Sequence, residues 1–175
     1  MLNEQMKQFK SPGPDFRGAP FWAWNAKLEP EELIRQIRLM KEMGLGGFFM
    51  HARGGLQTPY MGEEWFDNIR AACDEGTARG MAPWGYDENG WPSGSGDGHV
   101  LAHFPDSRCE WLMYRDGEVV VEGKPGFNTF RREEMAYFIE YTYEGYRKGL
   151  SEEAFSYVTG FFSDILSYVR LMALM

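Results

Sequence analysis

Two adjacent carboxylates, Asp87 and Glu88, stand in the stretch YDENGWPSG, directly before an aromatic turn bounded by proline and glycine. Paired acids can divide into a general acid and a general base when their surroundings separate their pKa values. Hydrolysis of a glycosidic bond uses such a pair, held roughly 5 Å apart for retention of configuration and about 6.5–9.5 Å apart for inversion. Neighbours on a strand point to opposite faces, so Asp87 and Glu88 need not form one working pair. One can face a site while the other is structural, or both can bind a ligand or a cation from the turn. Polar residues end three further apolar runs in the same manner: Asn25 after PFWAW, His51 after GGFFM and Asp164 after YVTGFFS. Trp22, Trp24 and Trp91 carry rings that could stack on the apolar face of a sugar, whereas Trp84 reads as core.

Other chemistry-bearing candidates lack partners. The GSGDG run (Gly94–Gly98) misses the G-x-G-x-x-G spacing of a dinucleotide loop, and reads as a flexible connection. DENG matches a calcium loop only in its first residues. His99 and His103 are four apart and can share a helix face, but zinc needs at least three protein ligands. Cys73 and Cys109 form no redox or metal motif, and Cys73 falls on the apolar side of an expected helix as a buried thiol.

The strand ends can act together only if the intervening elements bring them to one side. Pro30, Glu31 and Glu32 form a helix start, because proline suits the first position and acids suit the positive end of the helix dipole. Leu33, Ile37 and Met40 then share a face, and Gly44 closes the helix. A second helix is expected over 63–79, with Trp65, Ile69, Ala72 and Cys73 inward and Gly80 as its stop. MAPWGY (81–86) reads as the third strand. The rhythm then breaks: 111–114 and 118–122 flank an Asp116-Gly117 turn and read as a hairpin. A long helix resumes near Arg132, and YVTGFF (157–162) is the fourth strand candidate.

Strand, helix, strand, helix, strand, insertion, helix, strand predicts an α/β fold with parallel strands. In a (β/α)8 barrel the C-terminal strand ends ring one mouth; in an open doubly wound sheet they line a crevice. Either arrangement gathers Asn25, His51, Asp87, Glu88 and Asp164. Residues 1–19, polar and rich in Pro and Gly, read as a lead-in; 20–164 as the folded domain; 165–175 as an atypical apolar tail.

Composition narrows the partners. A net charge of -8 and a sequence pI near 4.9, with no run of Lys and Arg, argue against nucleic acid and against an anionic membrane surface. The first residues lack the apolar core of a signal peptide, and the apolar tail is too short to span a bilayer and contains Arg170. The chain as given therefore reads as cytoplasmic, with a neutral, polar ligand.

With PFWAWN, GGFFMHARGGL, YMGEEWF and YDENGWPSG in this order, the chain resembles the catalytic barrel of the alpha-L-rhamnosidase-type glycoside hydrolases, family 106 and its relatives. The resemblance runs over about residues 17–100 and resumes over 138–164. It implies O-glycosyl hydrolysis by carboxylates on a (β/α)8 barrel, with inversion and a calcium ion at the sugar. It places Asn25, His51, Arg53, Asp87, Glu88 and Trp91 around a sugar pocket, with Asp87 and Glu88 as the central carboxylates. It also implies that the parent enzymes can be secreted or periplasmic. Where the family pattern continues FFSD with an acid, this chain has Ile165. The expectation is thus a partial barrel of about four β/α units with an inserted hairpin, interrupted before a catalytic acid. Exposed barrel edges would favour self-association. The alternatives are a carbohydrate-binding module without turnover, or an unstable gene remnant.

Overall fold

The computed structural model describes residues 2–164. The described residues divide into two compact units, one running to Tyr86 and adding Gly145–Phe162, the other comprising Asp87–Glu144 with Ser163 and Asp164. The expected apolar tail, 165–175, lies outside the described residues.

The first unit is an open parallel sheet. Its strands β1 (Phe21–Trp24), β2 (Gly47–Ala52), β3 (Ala82–Tyr86) and β6 (Gly160–Phe162) lie in the order β1-β2-β3-β6. Helices α2 (Pro30–Glu42) and α3 (Glu63–Ala78) make the first two crossovers. Both helices end in the same device. In α2 the Leu45 N–H bonds the Met40 carbonyl and the Gly44 N–H bonds the Lys41 carbonyl, with Gly44 at φ +86°. In α3 Met81 bonds Gly76 and Gly80 bonds Thr77, with Gly80 at φ +60°. A left-handed glycine followed by an apolar residue stops each helix and starts the chain back towards the next strand.

Alternation along the strands separates two layers. Trp24, Phe48, Met50 and Ala52 pack in one core cluster with Leu33, Ile37 and Met40 of α2 and Trp65, Ile69, Ala72 and Cys73 of α3. α3 lies so close that a Cβ on Gly76 would sit 2.9 Å from the Phe48 ring. The other layer is aromatic: Phe21, Phe49, His51, Trp84, Tyr86 and Phe162 are linked ring to ring.

Several boundaries differ from expectation. The lead-in contains a helix, α1 (Leu2–Lys10), and a single 3-10 turn at Pro14–Phe16. β2 runs two residues further than GGFFM, so His51 lies inside the strand and not after it. The fourth strand is shorter than 157–162, because Ser151 caps a helix, α6 (Glu152–Tyr157), by accepting from the Ala154 N–H at 3.2 Å.

The second unit contains α4 (His99–His103), β4 (Arg108–Arg115) and β5 (Glu118–Pro125), and the first part of α5 (Arg132–Gly149). Asp116 and Gly117 both have positive φ, +54° and +89°, as the twist of a two-residue hairpin requires. Val100, Phe127 and Phe138 form this unit's own core. The buried Glu134 ties the hairpin's base to α5: its Oε2 accepts from Ser107 Oγ at 2.6 Å and from the Asn128 N–H at 2.9 Å. Among the described residues no helix is long and apolar enough to cross a membrane.

Candidate functional site

β3 delivers the sequence YDENGWPSG. Tyr86, its last residue, is 1% exposed and meets His51 edge to face, the ring centroids 3.9 Å apart. His51 is thereby a packed member of the aromatic layer and itself only 5% exposed.

The next residue, Asp87, is fully buried. A buried carboxylate must be hydrogen-bonded to remain ionised without a large penalty. Ser93 Oγ donates to Oδ1 at 2.5 Å and Tyr143 Oη donates to Oδ2 at 2.7 Å. Ser93 Oγ in turn accepts from the Asp164 N–H at 2.9 Å. Burial, then the hydrogen bond to Asp87 and its charge, push the Tyr143 phenol above its ordinary range, against a smaller opposing effect of the Ser163 hydroxyl. Tyr143 therefore keeps its proton and is a fixed hydrogen-bond donor to Asp87.

Glu88 is different in kind. It is 1% exposed, and its carboxylate accepts five backbone N–H groups. Oε1 takes those of Asn89 (3.0 Å) and Asp97 (2.6 Å); Oε2 takes those of Gly94 (3.1 Å), Ser95 (2.8 Å) and Gly96 (2.8 Å). Successive amides can converge on one anion only where the backbone alternates into left-handed conformations. Gly94 (φ +119°), Gly96 (φ +58°), Asp97 (φ +56°) and Gly98 (φ +82°) provide them. The GSGDG run is a carboxylate cradle, which corrects its reading as a flexible connection. A carboxylate has about four lone-pair sites, so five donors take up the acceptor capacity of Glu88. Its work is to hold the loop.

That loop presents Trp91, 63% exposed, through a cis Trp91–Pro92 peptide. Asn89 Nδ2 bonds Asp97 Oδ1 at 3.0 Å across the base of the same loop. The other expected stacking rings point elsewhere. Trp24 is 2% exposed and packs edge-on against Trp22 and Trp65, so it belongs to the core and is not a platform. Trp22 lies on the same helix-facing side, T-shaped against Phe48, and donates to Gln36 Oε1 at 2.7 Å. The reason is parity: residues 22 and 24 share the face that the helices cover. Asn25 and Arg53 are exposed in the first unit, where the Arg53 N–H extends the parallel ladder to the Trp24 carbonyl. Asp164 is half-buried.

Glu88 does not suit a calcium ion. A hard cation requires free oxygen lone pairs, and Glu88 has given its own to amides, whereas each Asp87 oxygen accepts a single hydroxyl. Among the described residues no group of three or more His, Cys, Asp or Glu could hold a metal ion. His99 and His103 do share a face of α4, where they stack on Tyr141 and Tyr137 with centroids 4.2 and 4.3 Å apart. Burial, followed by Asp97, Tyr137 and Glu88, raises the Tyr141 phenol to about 12.

Sequence reasoning missed Ser93, Tyr143 and the cradle. A trace of the cradle was present: glycine at every second position of GSGDG is costly in a loop with no task.

No protein-family model matches the chain, and no curated protein matches it. Among solved structures it is similar to a rhamnosidase from Novosphingobium sp. PP1Y, at 27% identity over 50% of this chain and with a TM-score of 0.44. The match covers 9% of that chain.

Proposed function

We propose that this chain binds a saccharide through the loop that Glu88 organises, as part of a glycoside-hydrolase-type partial barrel akin to the alpha-L-rhamnosidases. The observation that carries the reading is the pairing of an exposed Trp91 with a loop backbone pinned at five amides. An exposed indole on a loop held on both sides of it can stack on the apolar face of a sugar ring with less loop entropy to lose on binding. The order of PFWAWN, GGFFMHARGGL and YDENGWPSG, and the four parallel strands, support the same reading.

In this proposal Asp87 and Glu88 build the site. Of the two, Asp87 alone retains acceptor capacity, since each of its oxygens accepts one bond. Glycoside hydrolysis needs a second, free carboxylate. Binding without turnover is therefore the activity proposed for this chain.

The test is a titration of the full chain with L-rhamnose and other monosaccharides, read by tryptophan fluorescence, beside a hydrolysis assay on an aryl alpha-L-rhamnoside. Saturable quenching, lost in Trp91→Ala and kept in Trp111→Ala, is expected, with no hydrolysis. A folded preparation whose spectrum no sugar alters would overturn the reading.

A further inference from the structure

The hairpin of the second unit presents a surface that neither the core nor the proposed saccharide loop uses. On one face Leu112 opposes Val121 and Tyr114 opposes Val119, and these four side chains are 60–75% exposed. Among the described residues β4 and β5 pair only with each other, so each also has an open edge. A two-stranded ribbon is marginal alone in water, and an open apolar edge is a template for another strand.

Each edge has one carbonyl engaged by a side chain. At the end of β4 the Arg108 carbonyl accepts from Asn128 Nδ2 at 2.9 Å. On β5 the register fixes which groups are available. Arg115↔Glu118 flanks a two-residue turn and is a hydrogen-bonded pair, so Glu118, Val120, Glu122 and Lys124 turn their amides towards β4. Val119, Val121 and Gly123 turn theirs outward. The Gly123 carbonyl also accepts from the Arg108 side chain, which leaves it a second lone pair.

We propose that β5 pairs with β5 of a second copy of this chain, antiparallel and centred on Val121. In that register Val121 faces its symmetry mate, and Val119 faces Gly123, so every outward amide meets an outward carbonyl. Glu118 then lies opposite Lys124 twice over. Both are exposed, and neither makes an ion pair within the chain among the described residues. The other registers in which outward amides meet are poorer: centring on Gly123 sets Val121 against Pro125, which has no N–H, and centring on Val119 leaves Lys124 beyond the end of the partner strand. Pairing joins the two Leu112–Val121 stripes into one continuous band across four strands. The interface is isologous, so it closes at two copies.

The experiment is sedimentation velocity on the full chain over a wide range of concentration, with melting curves to show that each variant is folded. A monomer–dimer equilibrium is expected for the wild type. Lys124→Glu sets two glutamates opposite each other twice and should weaken the dimer at least about tenfold. Glu118→Lys combined with Lys124→Glu restores the pairing with signs exchanged, and should restore the dimer. Val121→Pro removes only an outward N–H and should abolish it. Slower amide exchange at Val119 and Val121 with rising concentration gives an independent readout in the wild type. A wild type that stays monomeric, a dimer that neither single variant shifts, a double variant that fails to recover, or open-ended association would each overturn the proposal.

Discussion

The parallel sheet of the first unit and the loop around Glu88 are both rigid, for opposite reasons. The sheet is held by apolar burial: Ile37, Phe48, Met50, Trp65 and Ile69 have no exposed surface at all. The loop has almost no apolar content between Asn89 and Gly98 beyond Trp91, and its order comes from one carboxylate collecting amides. Burial is non-directional and tolerates reshaping, whereas a polar cradle works only when every donor reaches its acceptor. A loop built in the second way can leave its one large ring in solvent, and that is what the proposed function requires.

The comparison can be broken from either side. Trp65→Ala removes a fully buried indole from the sheet core and should lower stability by about 4 kcal/mol, read by chemical denaturation. Glu88→Leu keeps the volume but strands five amides. It should cost about 3 kcal/mol, and in addition open residues 89–98 to proteolysis before the global transition. If Glu88→Leu lowers stability without exposing the loop, the cradle is not what orders it. Tyr143→Phe withdraws one of the two hydroxyls from buried Asp87 and should cost about 1.5 kcal/mol.

A finer distinction comes from alkali. Burial, with a smaller effect of Asp74, raises the Cys73 thiol from 9.0 to about 12. A raised folded pKa means that the unfolded chain gives up the proton first, so stability is intact below pH 9 and is lost as pH rises towards 12. Tyr143 acts in the same direction above 10. Melting temperature should therefore decline above pH 9, less steeply in Cys73→Ala. An alkaline profile indifferent to Cys73 would sink this assignment.

What the sequence made legible follows from the same division. Regular elements governed by local rules were readable: the two glycine stops, the proline and acids at the start of α2, and the Asp-Gly turn all act within a few residues. The apolar spacing of Leu33, Ile37 and Met40 was readable because burial has a period. Strand parity puts Trp22 and Trp24 on one face, and the sequence alone does not say that this is the face the helices cover. The polar cradle could not be read in this way. Five bonds from residues 89–97 to one side chain have no periodicity, and the link from Tyr143 to Asp87 spans 56 residues. α1 was missed because a polar segment with few apolar residues gives little helical signal.

The position of β6 has a consequence for how the chain assembles. β1, β2 and β3 follow one another with a single helix between neighbours, but β6 reaches its place beside β3 only after residues 87–159 have been accommodated. Loop-closure entropy grows slowly with length, so this long excursion is tolerated in the final state. Rates are more sensitive to sequence separation, since distant contacts form only after that entropy has been lost. The three residues of β6 thus make the most sequence-distant contacts of the sheet, and they cover the edge that β3 would otherwise leave unpaired.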